Sequence, residues 1–198
     1  MSDTPHRFRL PDDVFQLRVS LVDSEPVIWR RVLVDQDVLL PRLHKILQAV
    51  MGWTDSHLHQ FTVAGLSFAE PDEESSPEPI DYRHIALNQI LPAKGATCIY
   101  EYDFGDSWDH LVELEDELAR ETVSGPLPTC VDGARACPPE DCGGLHGYEL
   151  FLQAIADSEH PEHDDYVRWA GGDFDPEAFD VAAANKLLIA TGRPRRTK

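Results

Sequence analysis

Three thiols and an imidazole fall within one short stretch, Cys130-Val-Asp-Gly-Ala-Arg-Ala-Cys137-Pro-Pro-Glu-Asp-Cys142-Gly-Gly-Leu-His146. Thiolate and imidazole donors suit tetrahedral Zn²⁺, and a loop with no hydrophobic core of its own is the kind of segment a structural metal fixes. Cys130, Cys137, Cys142 and His146 are the candidate ligands, with His110 as an alternative fourth. The C-x6-C-x4-C-x3-H spacing matches no standard ribbon or finger, so small, reduced, partly buried thiols are the competing reading. A catalytic thiol or redox pair is a third, but no C-x-x-C occurs and no activating environment is evident.

A second group, Asp103, Asp106, Asp109 and His110, surrounds a turn. Carboxylates with an imidazole suit Mg²⁺ or Mn²⁺ and hence phosphoester hydrolysis, as in a hydrolase or nuclease. Turns also favour Asp because it hydrogen-bonds its own backbone. Asp103-Phe104-Gly105 matches a kinase metal-binding tripeptide, yet no Gly-rich phosphate loop, strand lysine or His-Arg-Asp segment accompanies it. His57 and His59 would share one strand face and reach one ion, although Phe61 and Val63 on that face favour packed or rim histidines. His160 and His163, among Glu159, Glu162, Asp164 and Asp165, read as a solvated helix start. No G-x-S-x-G, H-E-x-x-H, Walker loop or dinucleotide fingerprint occurs, so motifs alone support no enzyme class.

The elements that must position these groups follow from periodicity. Phe15, Leu17, Val19 and Leu21 alternate with polar residues, predicting a half-buried strand, and Val27 to Val34 pairs with it across Ser24-Glu25-Pro26. Arg30 and Arg31 in that second strand point to opposite faces, which predicts surface salt bridges and not a phosphate clamp. Leu39 to Met51 is an amphipathic helix, with Pro41 in its first turn and Gly52 ending it. Leu58 to Val63 is a short strand. Residues 97–115 make the clearest hairpin, with Cys98, Tyr100, Tyr102 and Phe104 on one arm and Trp108, His110, Val112 and Leu114 on the other. Residues 70–79 form an acidic mobile loop, and residues 124–147 a Cys/Pro/Gly loop too long to be a simple connection. Three helical stripes follow: Tyr148 to Ile155, Tyr166 to Trp169, and a last helix with Asp175 as N-cap, Pro176 at N1, and Phe179, Ala183 and Leu187 as its stripe. Early strands, late helices and no βαβ alternation predict a single α+β domain with a largely antiparallel sheet, amphipathic helices packed on it and a helical C-terminal third.

The chain has 198 residues, 42% of them hydrophobic, which fits one domain with one core. Residues 13–192 are that domain, 1–12 an N-terminal extension and 193–198 a basic tail. No apolar run approaches the ~20 residues a bilayer helix needs. The formal net charge is −19, and four of the 17 bases lie in the last six residues, leaving 13 bases against 36 acids, about −23, before them. Such a surface repels phosphates, so nucleic acid is not the expected partner. The start of the chain has no apolar signal-peptide core, so a cytoplasmic protein with reduced thiols is expected.

Three segments are distinctive together. They are Ile28-Trp-Arg-Arg31 with Leu43-His44 and Met51-Gly-Trp53 through His57-Leu-His59-Gln-Phe61; Tyr100-Glu-Tyr-Asp-Phe-Gly-Asp-Ser-Trp-Asp-His110; and Cys137-Pro-Pro-Glu-Asp-Cys-Gly-Gly144 with Gly147-Tyr148. Over roughly residues 13–190 the chain resembles the plasmid pRiA4b ORF-3-like family, whose members are also labelled insertion-element passenger TnpR-like proteins. The resemblance implies an α+β fold, a plasmid or mobile-element setting, and no established biochemical role. The resolvase-like label implies recombination, but a serine recombinase needs arginines around its nucleophile and a basic recognition helix. Neither is visible, so the label reads as genetic context. The expectation is a binding or accessory module, its surface made by the turn at Asp103 to Asp109 with Trp108, Pro138, Pro139, Glu140 and Asp141, and its partner a protein or peptide, basic given the charge.

Overall fold

A computed structural model describes residues 13–71 and 78–191; the N-terminal extension, the basic tail, Gly192 and most of the acidic loop lie outside the described residues. Strand β1 (Val14–Leu21) and strand β2 (Trp29–Asp35) pair antiparallel as the alternation requires, with Phe15, Leu17, Val19 and Leu21 buried. Strands β3 (His59–Val63), β4 (Leu66–Ala69) and β5 (Ile80–Asp81) follow, then the hairpin of β6 (Thr97–Tyr102) and β7 (Trp108–Leu118), then β8 (Thr129–Ala134). They form one eight-stranded sheet in the order β5-β4-β3-β6-β7-β1-β2-β8, parallel only between β4 and β5. The β1–β7 pairing sets two hairpins that are distant in sequence side by side.

Helix α1 (Leu40–Met51) starts with Pro41 in its first turn and ends at Gly52, whose φ of 94° turns the chain so that the Trp53 N–H also reaches the Gln48 carbonyl, at 3.0 Å. Its apolar side, including Leu43, Ile46, Leu47 and Val50, joins the core built on the sheet. A one-turn helix α2 (Leu87–Ile90) precedes β6, and α3 (Gly144–Ala156), α4 (His163–Trp169) and α5 (Val181–Thr191) close the chain. The domain is therefore α+β, with a mostly antiparallel sheet and helices in the C-terminal third. The polar positions of the sheet bind one another: Arg31 pairs with Glu115 at 2.6 Å and Asp132 at 2.9 Å, and Gln16 donates to Glu115 at 3.1 Å.

Three local expectations are corrected. Part of the 124–147 segment is edge strand β8, paired to β2 with a register shift between Arg31 and Val32. Its outer edge is occupied by Asn185, whose Oδ1 accepts the Cys130 N–H at 2.8 Å while its Nδ2 donates to the Cys130 carbonyl at 2.8 Å. The last helix begins at Val181, capped by Asp180 Oδ1, which accepts the Ala182 and Ala183 N–H groups at 2.7 and 3.2 Å. Asp175 instead closes a turn on the Glu177 N–H at 3.0 Å, and Ala184 and Leu188 take the buried positions expected for Ala183 and Leu187. Finally, Arg30 is no surface residue: it is 2% exposed, donates to the Val50, Trp29 and Ala134 carbonyls at 2.9, 2.8 and 2.9 Å, and its guanidinium lies 3.9 Å above the Phe179 ring. That stacking holds Phe179 ahead of the helix, which is why α5 starts late.

Candidate functional site

The β6–β7 turn contains two residues in the left-handed region, Asp103 at φ 58° and Ser107 at φ 53°. Asp103 spends one carboxylate oxygen on the turn, Oδ1 accepting the Gly105 N–H at 3.0 Å. The other, Oδ2, faces His57 Nε2 at 3.6 Å. Next along the turn, Asp106 Oδ2 accepts the Gly143 N–H at 3.1 Å. The backbones meet so closely there that a Cβ on Gly144 would lie 2.6 Å from the Asp106 carbonyl oxygen.

The Pro-Pro-Glu-Asp loop is thus held against the hairpin, and other bonds anchor it. Trp53 Nε1 donates to the Pro138 carbonyl at 3.0 Å. The Glu140 carboxylate accepts the Tyr102 hydroxyl at 2.6 Å, the Thr54 N–H at 3.2 Å and the Thr54 hydroxyl. The Tyr102 hydroxyl is in turn held by the Ser56 N–H at 2.9 Å, and burial with the Glu140 contact pushes its pKa well up. Beyond this anchor the chain turns through Asp141 at φ 60°, and Asp141 Oδ1 comes 3.1 Å from His57 Nε2. Among the described residues, His57, Asp103 and Asp141 are the one group of three or more potential ligands close enough to share an ion, their donor atoms all within 4.8 Å of one another.

The residues singled out in the sequence divide differently. No three of Cys130, Cys137, Cys142, His146 and His110 gather within that reach. Strand pairing fixes Cys130 in β8, its Sγ toward the Asp132 carbonyl; Cys142 Sγ points to the Gly144 carbonyl; His146 is exposed in the first turn of α3. The four cysteines are free thiols, and burial pushes them up, Cys98 and Cys142 to about 12 and Cys137 further. They are protonated at neutral pH and are not activated nucleophiles.

The hairpin carboxylates also separate. Only Asp103 reaches His57, and Asp106 serves the loop. Asp109, paired across the hairpin with Glu101, lies on the face opposite His110, its pKa raised by burial and by Glu101 and Asp23. His110 is fully buried against the Tyr100 carbonyl at 3.1 Å, and burial lowers it to about 4. Of the expected contact residues, Trp108 is 1% exposed and Pro138 is buried, so neither is a surface residue; Pro139 and Glu140 are half-buried, and the Asp141 side chain is 71% exposed.

Nor do His57 and His59 converge. His57 lies before β3 and turns toward the two aspartates, while His59 stacks flat on His44 at 3.4 Å and shares a hydrogen bond of 3.0 Å with the Tyr82 hydroxyl. This opens a buried relay that was not anticipated. His44 Nε2 meets Asp55 Oδ1 at 2.5 Å, His44 Nδ1 meets the Tyr100 hydroxyl at 2.8 Å, and Gln48 donates to that hydroxyl at 3.0 Å while accepting the Asp55 N–H at 2.8 Å. Burial lowers the pKa of both imidazoles, that of His59 to about 3. The signal was two polar residues, His44 and Gln48, four apart on the apolar side of a helix.

Beside the His57 cluster opens a cavity of about 320 Å³, lined by Asp141, Cys142, Glu162, Asp165, Tyr166 and Trp169. The Tyr166 and Trp169 rings stand nearly perpendicular, at 84° and 6.4 Å, and Asp165 bonds the Arg168 guanidinium at 2.8 Å.

These features define an α+β domain whose long, glycine-rich loop is clasped to an aromatic hairpin. The sequence matches the model of the plasmid pRiA4b ORF-3-like proteins over residues 13–183, and the chain belongs to that family. It is 40% identical over 177 residues to the uncharacterized protein y4hQ of Sinorhizobium fredii, a match covering 88% of this chain and 90% of that one. The crystal structure of the protein of unknown function MM3350 from Methanosarcina mazei is similar, with a TM-score of 0.75 and 39% identity over 86% of this chain and 97% of that one. Among the described residues no helix is long and apolar enough to cross a membrane.

Proposed function

We propose that the protein is a binding module for a basic segment of another protein, and that a lysine or arginine side chain of this partner enters the cavity between the Pro-Pro-Glu-Asp loop and α4. The lining of that cavity carries the reading: three carboxylates, Asp141, Glu162 and Asp165, surround a corner made by Tyr166 and Trp169. A cation against an aromatic face gains about 0.5–2 kcal/mol, and carboxylates add charge-assisted hydrogen bonds. Asp165 already takes one guanidinium from within the chain. The net charge of −19 steers basic partners toward the surface and repels acidic ones. An accessory module of this kind suits the plasmid and insertion-element setting that the family resemblance implies.

The other readings lose their chemistry. The phosphoester reading needed at least two of Asp103, Asp106 and Asp109 on one ion, and only Asp103 belongs to a group close enough to share one. The recombinase reading needed arginines gathered around a serine and a basic recognition helix, and the adjacent pair does not help it: Arg30 is buried on carbonyls and Arg31 pairs with Glu115 and Asp132. A structural zinc on the loop thiols has no gathered ligand set to support it.

The test is titration of an Arg/Lys-rich peptide and its Glu-substituted counterpart, read by tryptophan fluorescence and calorimetry. The basic peptide binds, affinity falls steeply with salt, and Trp169→Ala or Glu162→Gln with Asp165→Asn weakens binding roughly tenfold. Unchanged affinity in these variants, or no binding of the basic peptide at low salt, overturns the proposal.

A further inference from the structure

We propose that His57, Asp103 and Asp141 bind one divalent first-row transition-metal ion, Zn²⁺ or Mn²⁺, which pins the Pro-Pro-Glu-Asp loop to the hairpin turn. The starting observation is an unsatisfied nitrogen. His57 Nε2 is shielded from solvent and makes no hydrogen bond: Asp103 Oδ2, at 3.6 Å, lies beyond hydrogen-bond reach, and Asp141 Oδ1, at 3.1 Å, is near enough but out of line for one. A lone pair on this nitrogen would face two carboxylate oxygens. A cation among the three atoms removes the conflict.

The dimensions fit. Metal–ligand bonds of about 2.0–2.2 Å place neighbouring donors about 3.0 Å apart at right angles and about 3.4 Å apart in a tetrahedron. The two observed edges, 3.1 and 3.6 Å, match this range, and all donors lie within 4.8 Å of one another. The ligands are also fixed beforehand. Asp103 is held by its bond to the Gly105 N–H, and Asp141 is presented by a left-handed backbone just beyond the Glu140 anchor. An imidazole with two carboxylates favours Zn²⁺ or Mn²⁺ over Ca²⁺ and Mg²⁺, which prefer all-oxygen shells. Because Asp141 is largely exposed, the remaining coordination positions face solvent, where water or another oxygen donor completes the shell.

The site shares Asp141 with the cation cavity but not Glu162, Asp165 or Trp169, so variants at those three residues tell the two apart. Untagged, chelator-stripped protein is titrated with ZnCl₂ and MnCl₂ by calorimetry, with the His57 imidazole followed by NMR. One ion binds per chain and shifts the His57 resonances. Asp141→Asn and His57→Ala each weaken it at least tenfold, whereas Cys142→Ser and Glu162→Gln keep wild-type affinity. Asparagine tolerates the φ of Asp141 as aspartate does, so Asp141→Asn isolates the charge, and an unchanged metal-free melting temperature verifies the fold. No saturable binding, affinity indifferent to Asp141→Asn, or affinity abolished by Cys142→Ser overturns the proposal. An imidazole that only exchanges a proton, with no metal-dependent shift, overturns it too.

Discussion

Removing the Glu140 carboxylate should loosen the loop from the hairpin while the Trp53–Pro138 and Gly143–Asp106 bonds remain, and the size of the effect follows from the bonds Glu140 makes. Its contact with the Tyr102 hydroxyl, 2.6 Å and partly buried, is the strong one; those with Thr54 are exposed. A net hydrogen bond to a charged group is worth about 1.5–3 kcal/mol, and exposed bonds much less. Glu140→Ala is therefore expected to cost about 2–3 kcal/mol, because the Tyr102 hydroxyl loses the acceptor for its proton. Glu140→Gln, which keeps a neutral acceptor, costs about 1 kcal/mol. For a chain of this size the alanine variant lowers the melting temperature by about 5–10 °C. Urea denaturation of Glu140→Gln, Tyr102→Phe and the double variant should yield a coupling energy of about 1 kcal/mol. A Glu140→Ala protein within about 0.5 kcal/mol of wild type, or a coupling of zero, would mean that the loop is held by something else, and the composite site would lose its main support.

Two other perturbations have outcomes fixed by geometry. In Gly147→Ala the new Cβ would lie 1.8 Å from the Cys142 carbonyl oxygen, so the loop and the first turn of α3 cannot both keep their places; a loss exceeding about 3 kcal/mol in thermal melts, or failure to accumulate folded, is expected. Acid should destabilise the fold before carboxylates titrate: His59 and His110 are lowered to about 3 and about 4, so between pH ~6.5 and those values the unfolded chain binds protons that the native chain refuses. Stability is full above pH ~6.5 and falls by about 1–2 kcal/mol per histidine on going to pH 5. An unfolding midpoint that stays constant from pH 7 to pH 5 would contradict this.

What could be read from the sequence depended on whether the deciding contacts were local. The aromatic hairpin was legible because a two-residue period with one buried face dictates the register, and Tyr100, Tyr102, Trp108, His110, Val112 and Leu114 are all buried as the alternation requires. Phe104 departs from it because it sits in the turn, exposed. Strand β8 was hidden: it carries a register shift, and the groups along its edge are satisfied by Asn185, more than fifty residues later. Asp175-Pro176 carries the local signals of a helix start, but Phe179 is claimed by Arg30 and the helix waits for Asp180. Arg30 itself reads as a surface charge because nothing near it announces the three carbonyls that converge on it. The length and composition of the 124–147 segment marked it as more than a connection, and its association with the hairpin was an expectation that followed the family resemblance. Its key partner could not be read, since no pattern in His57-Leu-His59 reveals that the first histidine leaves the strand line while the second stays in it.

The same geometry explains why this junction holds charge so tightly in a chain that is already strongly acidic. Asp103 and Asp141 both occupy the left-handed region, a conformation that aspartate tolerates better than most side chains, and Gly143 and Gly144 give the two turns room to approach. Glu140, Trp53 and the Gly143 N–H fix the backbone that presents the Asp141 carboxylate beside Asp103. Glu162 and Asp165 line the neighbouring cavity together with Asp141, so negative side chains gather on this side of the loop. The basic side chain proposed for the cavity and the metal ion proposed at His57 would both draw on Asp141. A metal held by His57, Asp103 and Asp141 would bind the native state alone, because the unfolded chain separates these three segments, and would stabilise the fold by mass action. The clasp between loop and hairpin is what brings His57, Asp103 and Asp141 within reach of one another, so both proposed ligands depend on it.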